Sequence, residues 1–165
     1  MKSVVVYESL WGNTAAIARA IASGIGDGAR ALSTGEATPD AVAGADLIVA
    51  GAPLLGFSLP TESMRDSIRT NPGNQATPPD LSCPSMRSWL ESLAPGTGRG
   101  ASFETRIWWS PGSAAKTIAE HLSASGFVCA DKGGRFIVTG RYGPLKDGEI
   151  ERAKAWGAAL ARASA

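Results

Sequence analysis

The chain carries little cysteine and almost no histidine: Cys83 and Cys129 stand far apart, and His121 is the single imidazole. With no Cys-x-x-Cys pair, too few ligands remain for a structural zinc site, and no metal is expected. The two thiols read as reduced intracellular cysteines. Charge of one sign is also missing. The 16 basic and 15 acidic residues leave a net charge of +1, too balanced for a nucleic-acid surface or an anionic membrane. Nor is there a long apolar run. The short one near the N-terminus follows Lys2 and is interrupted by Glu8, so neither a signal peptide nor a membrane span is expected, and the location expected is cytoplasmic. A Ser-His-Asp hydrolase needs a Gly-x-Ser-x-Gly elbow, which is absent. No Gly-Lys-Ser/Thr follows Gly12, which excludes a Walker A loop there.

What is present is a regular alternation. A length of 165 residues with 44% apolar and 19% charged content fits one globular domain over residues 1–165. Strands are expected at 3–7, 29–32, 47–51, 101–105 and 135–138, with helices at 13–25, 38–42, 61–69, 84–93, 113–123 and 147–163. The stretch 70–81, with Pro72, Pro78 and Pro79, reads as a loop within the domain. Five strands separated by helices imply an α/β fold, a parallel sheet with helices on both faces. Ligands of such sheets sit beyond the carboxyl ends of the strands, where strand order reverses. A phosphorelay receiver would need an acceptor Asp after the third strand. Ala50 and Gly51 stand there instead.

The most informative stretch is the first strand with the turn and helix after it. Val4, Val5 and Val6 lead through Tyr7 and Glu8 into Ser9-Leu10-Trp11-Gly12-Asn13-Thr14, and Ile17, Ala20, Ile21 and Ile25 then mark one helix face. A strand feeding a polar turn at a helix N-terminus presents free N–H groups and a positive dipole end to an anion, with no lysine required. The hydroxyls of Ser9 and Thr14 add donors, and Gly12 permits close backbone approach. An ordinary turn with Asn13 as helix cap is the plainer reading of the same residues.

This loop resembles the phosphate loop of flavodoxins, which cradles the monophosphate of FMN, with Trp11 where many of them carry a hydroxyl. Further stretches carry the same resemblance: Phe103-Glu104-Thr105-Arg106, Gly112-Ser113-Ala114-Ala115-Lys116, and the late Gly143-Pro144-Leu145 with Gly148 and Glu149. Together they make the chain similar to the single-domain flavodoxin-like proteins of actinobacteria. The resemblance implies a three-layer flavodoxin-like fold, its five-stranded parallel sheet in the order 2-1-3-4-5. It also implies an FMN site. The expected contacts are Ser9, Leu10, Trp11, Gly12, Asn13 and Thr14 on the first loop, Pro53, Leu54, Leu55, Gly56 and Phe57 on the second, and Thr105, Arg106 and Trp108 on the third.

One departure stands out. Leu54 and Leu55 occupy the place where those relatives carry Thr-His, which removes two polar side chains from beside the expected flavin ring and bears on redox tuning. It also removes the histidine that a quinone reductase would use for proton transfer. Phe57, Trp108 and Trp109 are candidates to flank the ring, or else plain rim residues. Arg106 reads as a flavin contact or as a surface ion pair. Trp89 and Trp156, at helical spacing, read as core. Three functions stay open: an FMN electron carrier serving a redox partner protein or a small-molecule acceptor, a small FMN-dependent oxidoreductase of the quinone-reductase type, and a flavodoxin-fold binding protein without flavin. The oligomeric state is not legible.

Overall fold

Three successive valines make β1 (Ser3–Tyr7) a strand, because β-branched side chains suit the pleat and crowd a helix. It becomes the second strand of the sheet, one in from an edge. In the computed structural model, which describes residues 1–163 apart from Asp27 and Asp131, the chain continues as α1 (Asn13–Ile25), β2 (Arg30–Ser33), α2 (Pro39–Val42) and β3 (Leu47–Pro53). Next come α3 (Glu62–Thr70), α4 (Met86–Ser92), β4 (Arg99–Arg106) and α5 (Ala114–Ala124). The short β5 (Val128–Cys129), β6 (Gly134–Ile137) and α6 (Glu149–Ala163) complete it. Every ladder between these strands is parallel, and the order is β2-β1-β3-β4-β5, as expected.

The fifth position holds two strands where one was expected. β5 pairs with Arg99 and Gly100 at the start of β4, and β6 pairs with the stretch from Phe103 to Arg106 at its end. A two-residue strand leaves no alternation to read in the sequence. The other bounds shift by a few residues at most. The helix expected from Pro84 begins at Met86, since Ser85 caps it by accepting the Ser88 N–H.

Alternation along the strands divides the core into two layers. Val5, Leu47, Val49 and Phe103 face α1 and α6, while Val4, Val6, Ile48 and Ala50 face α4 and α5. Each buried Val, Leu, Ile or Phe side chain contributes about 1.5–3 kcal/mol. On the first face two helical glycines let α1 and α6 touch backbone to backbone. A Cβ on Gly24 would lie 1.9 Å from the Lys154 carbonyl oxygen, and one on Gly157 would lie 2.2 Å from that of Ile21. Trp89 is core, as expected: it is buried and donates its indole N–H to the Ala37 carbonyl. Trp156 packs edge-on to Phe136 at the periphery of the other layer. The long segment before α4 is bound to the sheet end, because the Asp80 N–H donates to the Leu10 carbonyl at 2.8 Å. Among the described residues no helix is long and apolar enough to cross a membrane.

Candidate ligand cleft

The carboxyl ends of β1, β3 and β4 open into a cavity of about 580 Å³. Its lining includes Leu10, Trp11, Asn13, Thr14, Pro53, Leu54, Leu55, Gly56, Thr105 and Arg106, all expected from the sequence. Three loops far apart in the chain therefore converge on one cleft, at the place where strand order reverses. The expected residues Ser9, Gly12, Phe57 and Trp108 do not line it.

The first loop is organised by Ser9. Its hydroxyl oxygen accepts the N–H groups of Gly12 at 3.1 Å and Ala15 at 3.2 Å, which leaves its own proton to donate elsewhere. Gly12 has φ 94 and caps α1. A Cβ there would meet nothing within 4 Å, so glycine answers the sign of φ and not a lack of room. Asn13 is the first helical residue and not the cap. Its side-chain amide donates to the Tyr142 carbonyl at 3.1 Å, binding the helix tip to the loop after β6. The N–H groups of Asn13 and Thr14 are left without a partner among the described residues, since the first N–H of the helix ladder is that of Ala16. Deeper in, the buried hydroxyls of Thr14 and Thr105 lie 2.8 Å apart. One proton serves that contact, and the other is free to donate.

No family model matches the chain, and no curated protein matches it. Solved structures do. A flavodoxin from the domain Archaea is 24% identical with a TM-score of 0.69, the alignment covering 99% of each chain. Flavodoxin 2 from Bacillus cereus is 17% identical with a TM-score of 0.68 over 99% of each chain. A flavodiiron core from Synechocystis is 19% identical with a TM-score of 0.65 over 99% of this chain, which spans 36% of that one. The chain has the flavodoxin fold.

In this flavodoxin fold the second and third loops are tight turns. Leu55 and Ser58 exchange two backbone hydrogen bonds of 3.0 Å, and the residues between them, Gly56 and Phe57, have φ 52 and 68. Both values positive make a type I′ turn, and it holds a phenylalanine in the left-handed region. The Ser110 N–H donates to the Ile107 carbonyl, closing a turn with Trp108 and Trp109 at its corners. Phe57, Trp108 and Trp109 are 60%, 75% and 62% exposed. The turns abut, since a Cβ on Gly112 would lie 1.9 Å from the Phe57 carbonyl oxygen.

Beneath them lies Glu104, which is fully buried. One carboxylate oxygen accepts from Arg106 at 2.7 Å. The other accepts from the Ala114 N–H at 2.7 Å, the Ala115 N–H at 2.9 Å and the Ser113 hydroxyl. The anion thus sits on the N-terminus of α5. Arg106 also donates to the Gly112 carbonyl at 3.1 Å. Its ion pair is buried, not on the surface, and the guanidinium is held by Glu104 even though the residue lines the cleft.

Sequence reasoning missed one wall entirely. Met64, Ser67, Ile68 and Asn71, on and just after α3, line the cavity, and their spacing of three and four residues was the available signal. α3 is fixed there by an ion pair of Arg65 with Glu8 at 2.5 Å, both buried. Burial pushes the Glu8 carboxyl above its usual range, against the opposing pull of the Met86 N–H and Arg65. Val138 and Arg141, at and beyond the end of β6, complete the lining.

Proposed function

We propose that the chain binds FMN in this cleft and acts in cytoplasmic electron transfer, passing electrons to a redox partner protein or a small-molecule acceptor. The observation that carries this is the first loop: the free N–H groups of Asn13 and Thr14, two residues that line a cavity of suitable size, in a loop that Ser9 ties together. Small-molecule sites typically occupy roughly 300–1,000 Å³. The residues fit a flavin mononucleotide, with donors for a monophosphate at one end and apolar walls from Pro53, Leu54 and Leu55 at the other. When bound, FMN supplies one- and two-electron transfer.

The chain's own residues bind and orient. Asn13, Thr14 and Ser9 would hold the phosphate, and Thr105 would position Thr14. The two leucines would shed water from one side of the ring, and the backbone of the second and third loops would supply its polar contacts. Similarity to flavodoxins at 17–24% identity supports the reading. The test is a fluorescence-quenching titration at micromolar protein, with the visible spectrum of the purified chain. Tight, stoichiometric FMN uptake is expected, with FMN preferred over FAD. No affinity for any flavin would leave only a binding protein of this fold.

One observation favours the second reading, a small FMN-dependent oxidoreductase. Phe57 and Trp108 stand outside the cavity, which leaves room for a second molecule over the ring. Turnover of NADH or NADPH with a quinone by the FMN-loaded protein would select it.

A further inference from the structure

We propose that Arg141 is a cationic arm of the phosphate seat, so that the cleft holds a doubly charged monophosphate with a guanidinium in addition to backbone and hydroxyl donors. This rests on the reading of the cleft as an FMN site.

The loop that carries Arg141 is locked against the tip of α1. The Tyr142 carbonyl accepts from Asn13, and the Tyr142 ring meets Trp11 edge-on with centroids 5.0 Å apart. Gly143 has φ 95, and a Cβ there would lie 2.6 Å from the Asn13 amide oxygen, so only glycine lets the loop come this close. The loop is also closed at its base. The Thr139 N–H and hydroxyl both donate to the Pro144 carbonyl at 2.9 Å, and the Lys146 N–H donates to the Ile137 carbonyl. Arg141 is thereby held one residue from the contact with Asn13, and it lines the same cavity as Trp11, Asn13 and Thr14.

Charge singles it out. Two arginines line the cleft, and Arg106 is engaged by Glu104 and the Gly112 carbonyl. Among the described residues Arg141 has no carboxylate partner, and its guanidinium packs over the Tyr142 ring, 5.6 Å from the centroid. The cation, the free helix N–H groups and the surplus proton of the buried Thr14–Thr105 pair thus all belong to residues that line one cavity. A guanidinium there adds charge-assisted, fork-shaped donation to phosphate oxygens.

The test titrates FMN and riboflavin into wild-type protein and into Arg141→Gln, Arg141→Lys and, as a control, Lys146→Gln. Arg141→Gln is expected to weaken FMN about tenfold to a hundredfold and to leave riboflavin, which has no phosphate, within about twofold. Arg141→Lys should recover part of the loss, and Lys146→Gln should change neither ligand. FMN affinity of the wild type should fall with added salt more steeply than that of Arg141→Gln. Inorganic phosphate should compete with FMN less well in the variant. Arg141→Gln that weakens both flavins alike, or neither, overturns the role of Arg141 and leaves the FMN reading intact. Wild-type protein that takes up no flavin overturns the FMN reading itself, and this inference with it.

Discussion

At one end of the cleft, Asn13, Thr14 and Thr105 are each held by a hydrogen bond to a distant part of the chain, and Ser9 ties the loop beside them to the start of α1. At the other end, Phe57, Trp108 and Trp109 stand on turn tips in solvent. On the proposed reading this is the phosphate end, and it is preorganised: its donors are held before a ligand arrives, so binding there would cost little ordering. The ring end is firm in its backbone and open in its side chains. Glu104 fastens the third loop from below, yet Phe57, Trp108 and Trp109 do not line the cavity. On that reading affinity should reside at the phosphate end and tuning of the flavin at the ring end, where Leu54 and Leu55 line the cavity.

The largest expected effect tests how firmly the ring end is founded. Glu104→Ala strands Arg106 without its buried partner and strips α5 of the anion at its N-terminus. A loss of about 3–5 kcal/mol in stability is expected by chemical denaturation. A loss under about 1 kcal/mol would mean that the carboxylate is a minor support.

A middle-sized effect belongs to the phosphate end. Gly143→Ala asks an alanine to adopt φ 95 and to share space with the Asn13 amide. A cost of about 1–2 kcal/mol is expected, with FMN affinity lowered and riboflavin affinity nearly kept. Unchanged FMN affinity would detach the loop after β6 from the phosphate seat.

The elements that frame the first loop were legible beforehand. The 3.6-residue period from Ile17 to Ile25 set α1, the valine run set β1, and the residue types between them pointed to an anion. The limits lay wherever one loop depends on another. Asn13 looks like a cap in sequence, and only the approach of Tyr142 shows its amide tied elsewhere. Glu104 and Arg106 form a recognisable pair of positions, but their burial follows from where α5 begins. Arg141 carries no site signal in the sequence, and its place at the cleft is decided by Gly143 fitting against Asn13. Phe57 carries no signal at all, because nothing in a phenylalanine announces a left-handed backbone.

That residue gives the smallest expected effect. Phe57→Gly relieves a left-handed conformation at the cost of little buried surface, so stability should rise by about 0.5–1 kcal/mol, read by thermal or chemical denaturation. A fall of similar size would show that the exposed ring packs more than its 60% exposure suggests.

The account stands on the phosphate end carrying the affinity, and the most direct measurement is a pair of titrations, FMN and riboflavin, into wild-type protein and into Thr14→Ala. On this account the removed hydroxyl would make one charge-assisted hydrogen bond to the phosphate, contributing roughly 1.5–3 kcal/mol. FMN should therefore weaken about tenfold to a hundredfold in the variant, while riboflavin changes far less. Equal losses for the two ligands would place the phosphate elsewhere and contradict the account.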